Sequence, residues 1–231
     1  MQGKNYLIAG GTSGIGKAIA EALLAQGHRV WTMSRNGYTV NGAEHITWDA
    51  TNDARPSGWP EVLHGLVYAP GSIHLRSFRA LKPDDFLNDF QVNLLGAVRL
   101  LQAAQPALRA ANQSSVVLFS TVAVAQGMPF HASIAASKGA VEGLGRSLAA
   151  EWAPNINVNI IAPGLVNTPL AAKLLDSDVK KENSAKRHPL GRVGSPEEIA
   201  ALAVFLLSEQ ASWISGQVIG VDGGLSTLRT S

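Results

Sequence analysis

The chain has 231 residues, 46% hydrophobic and 16% charged, with mean hydropathy +0.09: enough to bury one sizeable core, too apolar for a disordered chain and too polar for a membrane protein. A formal charge of +2 with scattered Lys and Arg excludes the basic stripe of a nucleic-acid reader. Cysteine is absent, which excludes disulfides and thiolate ligands; without a long apolar run, and with strand-like residues from Tyr6 leaving no room for a signal peptide, the expected compartment is the cytoplasm.

Short apolar runs alternate with segments of helical period, the pattern of an α/β fold in which a doubly wound parallel sheet is covered by helices on both faces. One domain over residues 1–231 is expected. Seven strands are predicted: Tyr6–Ala9, Arg29–Met33, His45–Trp48, Leu66–Ala69, Val116–Ser120, Asn157–Ile161 and Gln217–Val221. A first helix runs from Gly14 to Gln26 and stops at Gly27. A second starts at Pro83, with Asp84 and Asp85 in its first turn, and continues towards Ala111, with Pro106 expected to kink or end it. Ser195-Pro196-Glu197-Glu198 carries the signature of a capping box at the start of another. Ser34–Glu44 is too short and turn-rich for a crossover helix, and Asp53–Gly65 has room for a short one at most. Residues 169–190 are polar and weakly periodic, as a mobile lid would be.

The run Ala9-Gly10-Gly11-Thr12-Ser13-Gly14-Ile15-Gly16 lies between a strand and a helix. Glycine at 10, 14 and 16 allows a tight turn, close approach of a pyrophosphate and close packing of helix on sheet, with the helix N-terminus facing the phosphates. No Asp or Glu occurs between Glu21 and Glu44, so the carboxylate that would hold both ribose hydroxyls of NAD is missing, and Ser34-Arg35 stands in its place. That pair suits a 2′-phosphate, and NADP(H) is the expected cofactor.

These residues, with Asp49, Asn93, Lys138, Pro163-Gly164, Asn167-Thr168-Pro169, Gly191-Arg192, Ser195–Glu198, Ser215-Gly216 and Asp222-Gly223-Gly224, resemble the short-chain dehydrogenase/reductase superfamily over essentially the whole chain. The resemblance implies a Rossmann-like, three-layer αβα fold with strand order 3-2-1-4-5-6-7. It also implies hydride transfer between nicotinamide and a small carbonyl compound or secondary alcohol, and a homodimer or homotetramer. Asp49 and the backbone of Ala50 would meet the adenine, Lys138 the nicotinamide ribose, and Val166 and Thr168 the carboxamide. Ala69, Gly71, Pro163 and Gly164 would line the cofactor, and Asn93 would hold a water in a proton relay.

The family's Ser, Tyr and Lys fall on Thr121, Ile134 and Lys138, at spacings of thirteen and four. Thr121 keeps a hydroxyl, whereas Ile134 has no proton to give where a phenol is expected. Tyr68-Ala69-Pro70-Gly71 also departs from the usual Asn-Asn-Ala-Gly. His131 and Tyr68 are the candidate replacement proton sources. The remaining histidines show no ligand spacing, and no metal site is expected. The sequence thus leaves two readings: an NADP(H)-dependent oxidoreductase with an atypical catalytic set, or a catalytically silent NADP(H)-binding sensor or assembly protein.

Overall fold

The computed structural model describes residues 3–52 and 54–229. Within them, one sheet has the order β3-β2-β1-β4-β5-β6-β7, from β1 (Asn5–Ala9), β2 (Arg29–Ser34), β3 (Glu44–Thr47), β4 (Gly65–Tyr68), β5 (Ser114–Phe119), β6 (Ile156–Pro163) and β7 (Val218–Val221). Every pairing is parallel. This is the Rossmann-like order that the resemblance implied, and each predicted strand is present.

Alternation along the strands explains the layers. Leu7, Ala9, Leu66, Tyr68, Val116 and Leu118 point to one face, where α3 (Gly96–Arg109) and α5 (Ala132–Trp152) pack. Tyr6, Ile8, Val67, Val117 and Phe119 point to the other, against α1 (Gly14–Ala25) and α7 (Pro196–Leu207). Because both faces are buried, the central strands read as continuous apolar runs. The chain goes outward from β1 to β2 and β3, then returns to β4 on β1's other side. This reversal opens a crevice at the carboxyl ends of β1 and β4, where ligands bind in open α/β sheets.

The second predicted helix needs correction. It is α2 (Pro83–Phe90), a π turn (Gln91–Leu95) and α3, and α3 passes through Pro106 to end at Arg109. The interruption thus falls at Asn93, where an added residue in the turn is accommodated by packing under Tyr68. Pro106 sits in the last turns, where one missing N–H costs little further helix. Two more short helices follow: α4 (Val122–Gln126), which the sequence reading missed, and α6 (Asp178–Lys186), inside the expected lid. Residues 35–43 hold no helix, as expected, with a turn at Asn41-Gly42 and only a bend at Asn36. Asp53 lies outside the described residues, and 54–64 hold no helix. The Ser195 capping box is present, with Ser195 N–H donating to Glu198 Oε2 at 2.8 Å.

Tyr68 holds the π turn in place: its hydroxyl donates to the Val92 carbonyl at 2.5 Å. A Cβ on Gly96 would collide with that hydroxyl and stand 2.8 Å from the Ala50 Cβ. Gly96→Ala is therefore expected to lower stability by about 1–3 kcal/mol through overpacking, read as an earlier midpoint in urea unfolding. An unchanged midpoint would mean that the helix does not sit against Tyr68 as described.

Candidate active site

The turn after β1 presents a bare helix end. Gly10 and Gly14 have φ of +72° and +51°, conformations that side chains disfavour. A Cβ on Gly16 would collide with the Gly10 carbonyl oxygen. Ser13 stands at the N-cap of α1, but its hydroxyl makes no capping bond. The first N–H groups of α1 thus have no side-chain acceptor and are turned towards whatever anion approaches. Ser13 is exposed and Thr12 half-buried in this turn, and Ile15 lines the cavity beyond.

That cavity, of about 500 Å³, occupies the crevice at the sheet's carboxyl edge. Ala69, Gly71 and Ser72 line it after β4, Thr121 after β5, and Pro163, Gly164, Val166 and Thr168 at and after the end of β6. α5 contributes Ile134 and Lys138, four apart and so on one face. Thr121 caps α4 by accepting from Ala123 N–H at 3.3 Å, and Thr168 accepts from Ala171 N–H at 3.3 Å.

Lys138 is only 7% exposed, and its ammonium donates to the Phe119 carbonyl at 3.0 Å. Burial pushes it down from its ordinary 10.5 to about 8, while the carboxylate of Asp89 pulls the other way. Ile134, 5% exposed, fills the wall beside it with hydrocarbon. Asn93 is fully buried in the π turn, and its Nδ2 donates to the Asp89 carbonyl at 2.8 Å and to Ser72 Oγ at 2.9 Å. Its Oδ1 has no hydrogen-bond partner among the described residues. A Cβ on Gly71 would lie 3.4 Å from that oxygen and 3.6 Å from Lys138 Nζ, so the glycine leaves open a space that both atoms border.

The family profile described as enoyl-(acyl carrier protein) reductase matches residues 9–226. The chain belongs to the short-chain dehydrogenase/reductase superfamily. A tropinone reductase homolog of Arabidopsis thaliana is 35% identical over 248 residues, covering 98% of this chain and 94% of the relative. One from Datura stramonium is 32% identical, covering 97% and 92%. Among solved structures, a ligand-free aldohexose dehydrogenase of Thermoplasma acidophilum superposes with TM-score 0.88 at 28% identity, covering 100% of this chain and 98% of its own. A gluconate 5-dehydrogenase of Burkholderia cenocepacia, in complex with NADP and tartrate, gives 0.87 at 28%, covering 99% and 97%.

Within this short-chain dehydrogenase/reductase, the predicted site residues divide into two groups. The cavity gathers Ile15, Ala69, Gly71, Thr121, His131, Ile134, Lys138, Pro163, Gly164, Val166 and Thr168. Arg35 and Asp49 instead line a separate hollow at the ends of β2 and β3, together with Asn52 and Arg55. Asp49 Oδ1 accepts from Thr51 N–H at 2.9 Å and Thr51 Oγ1 at 2.8 Å, an Asx turn that holds its carboxyl below the usual range. Ser34 Oγ donates to the Asn36 carbonyl at 2.5 Å, and the Ala50 carbonyl accepts from Arg99 at 3.2 Å.

Tyr68 is not a proton source for this cavity. Its side chain is 2% exposed in the α3 layer, its hydroxyl is given to Val92, and burial raises its pKa further. His131 does reach the cavity. Phe130 before it is held at φ +71°, and the imidazole Nδ1 lies 2.7 Å from the Pro129 carbonyl. A carbonyl only accepts, so Nδ1 carries the proton, and in the neutral ring Nε2 presents a lone pair. The sequence reading missed Arg55 in the hollow, and Ser72, His74 and Asp89 beside Asn93. Only Asp89 carried a signal, standing four residues before Asn93 in a helix.

The Lys138 ammonium has a measurable linkage. Below pH 8 both folded and unfolded chains carry its proton, so the cost of burying the charge is present in full. Between pH 8 and 10.5 only the unfolded chain stays protonated, and stability rises with pH. Lys138→Met is expected to be more stable than the unmodified, ligand-free chain at pH 7 by about 1–3 kcal/mol. The gap should close towards pH 10 in urea unfolding at the two pH values. A methionine variant less stable at pH 7 would contradict the buried charge.

Proposed function

We propose that this chain is an NADP(H)-dependent oxidoreductase that moves hydride between nicotinamide and a small carbonyl compound or secondary alcohol. The observation that carries the reading is the meeting, in one crevice, of the uncapped N-terminus of α1 with Lys138 Nζ and the hydroxyl-bearing Thr121. The residues fit a dinucleotide. Gly10, Thr12, Ser13, Gly14, Ile15 and Gly16 would take the pyrophosphate, Asp49 and Ala50 the adenine, and Lys138 the nicotinamide ribose. Val166 and Thr168 would meet the carboxamide, with Ala69, Gly71, Pro163 and Gly164 as walls. Ser34 and Arg35 would take a 2′-phosphate, and Arg55, in the same hollow as Arg35, adds a second guanidinium suited to it. The NADP found in the gluconate 5-dehydrogenase supports that choice. When bound, the dinucleotide supplies or takes the hydride at the nicotinamide ring.

The chain's own residues would do the rest. Thr121 would polarise the substrate oxygen, the Lys138 ammonium would stabilise charge growing there, and Asn93, which donates to Ser72 Oγ, would hold a water in a proton relay. Ile134 gives no proton, which removes a contribution of about 10²–10⁴ in rate. His131 would give one from Nε2 only as imidazolium. Residues 169–190, whose Lys173, Lys180 and Arg187 line the cavity, act as the substrate lid. A homodimer or homotetramer in the cytoplasm completes the proposal. One observation favours the silent reading, a cofactor sensor or assembly protein: the hydrocarbon wall at Ile134.

Calorimetry should show NADPH binding at least about 10-fold tighter than NADH, with the preference lost in Arg35→Ala. Equal affinities, unchanged in that variant, would end the NADP reading. NADPH oxidation is then expected over a panel of aldehydes, ketones, 3-oxo esters and α-diketones, with Ile134→Tyr faster by up to about 10². Turnover confined to Ile134→Tyr would establish the silent reading instead.

A further inference from the structure

Behind the cavity wall, Asp89 is an anomaly: an acid with no exposed surface on an otherwise amphipathic helix. Its Oδ1 accepts from Ser72 Oγ at 2.6 Å and lies 2.9 Å from His74 Nδ1, while Oδ2 is buried without a hydrogen-bond partner among the described residues. The three residues differ sharply in exposure. Ser72 lines the cavity, Asp89 is sealed, and the His74 side chain is 54% exposed to solvent. A continuous path of hydrogen-bonding groups therefore runs from water to the cavity. Its inner end is fixed: Ser72 Oγ accepts from Asn93 Nδ2 at 2.9 Å, Asn93 Nδ2 lies 3.4 Å from Ser137 Oγ, and Ser137 Oγ donates to the Ile134 carbonyl at 3.0 Å. Ser72 is thus tied to the turn of α5 that carries the hydrocarbon side chain. Gly71, next to it, leaves open a space bordered by Lys138 Nζ and Asn93 Oδ1.

We propose that Ser72, Asp89 and His74 form the proton relay that serves this site in place of the tyrosine, a proposal that rests on the oxidoreductase reading above. Ser72 is the catalytic residue; Asp89 and His74 act through it. In reduction, the carbonyl carbon receives the hydride supplied by reduced nicotinamide and its π pair moves to oxygen. That oxygen takes the Ser72 hydroxyl proton. Ser72 is reprotonated through Asp89 Oδ1, Asp89 from His74 Nδ1–H, and His74 from water at Nε2. One solvent proton is consumed per carbonyl reduced; His74 is left protonated at Nε2, and exchange of that proton with solvent for one at Nδ1 restores the starting tautomer. In alcohol oxidation the same path carries the proton outward: the Ser72 bond to Asp89 is already oriented for it, and His74 must turn to its Nε2–H tautomer so that Nδ1 can accept from Asp89.

The test uses the NADPH-loaded chain and the carbonyl of the panel that it reduces fastest. Ser72→Ala and Asp89→Asn should each lower kcat by about 100-fold. His74→Ala, a surface change that spares folding, should lower kcat about 10-fold or more with KM little changed. Added imidazole should restore His74→Ala but not Asp89→Asn. A readout independent of turnover is the His74 Nδ1–H proton resonance of the ligand-free chain, expected downfield of ordinary imidazole and lost in Asp89→Asn. Turnover that survives His74→Ala and Asp89→Asn overturns the relay and leaves the oxidoreductase reading intact, as does a His74→Ala loss that imidazole cannot relieve. Absence of the downfield resonance also overturns it. No turnover with any carbonyl of the panel overturns both.

Discussion

A lysine ammonium held under the edge of a parallel sheet dictates the rest of this site. Taking such a charge out of water costs several kcal/mol unless dipoles and counter-charge replace the solvent. Lys138 has the Phe119 carbonyl at 3.0 Å and the field of Asp89. The π turn follows from that need. It brings Asn93 inward and leaves Asp89 one helical turn before it on the same side, so one element supplies both the amide and the carboxylate behind the cavity wall. Tyr68 fixes the turn from the opposite face through Val92. A residue in the position of a cofactor-lining asparagine has thus become part of the frame.

The crevice itself needs no special side chains. Reversal of strand order between β1 and β4 leaves backbone groups exposed at the carboxyl edge, and the glycines after β1 let a helix end approach there. Binding and chemistry therefore rest on different parts of the chain. The first is written mostly in backbone geometry, the second in a few side chains after β4 and β5 and on α5. Under the proposed function, Ile134 in place of a phenol would alter the second without disturbing the first, so that a cofactor site could persist while proton transfer is rerouted.

The sheet was legible in the sequence because strands buried on both faces read as unbroken apolar runs, as in Val116–Phe119. Lys138 and Ile134 were legible for a different reason: a spacing of four puts them on one helix face. The π turn was not, since the helical period continues through Gln91–Leu95 and nothing local marks the extra residue. Asp89 resembles any solvated acid until the loop carrying Ser72 and His74 folds over it, a long-range contact that no local pattern encodes. Tyr68 misled for the converse reason. A strand end lies near the crevice, but side chains alternate, and this one points to the α3 layer. Arg35 and Asp49 were placed correctly at strand ends, yet they share a hollow of their own with Arg55, whose loop has no periodic signal.

On the proposed function, hydride moves in this cavity although Ile134 stands where the phenol is expected. The most direct measurement traces the label from NADPH deuterated at the nicotinamide C4, with product analysis by mass spectrometry. The account predicts deuterium on the carbinol carbon of the alcohol formed by the unmodified chain, from one face of the nicotinamide only. Tight NADPH binding with all of the deuterium retained in the cofactor would contradict it.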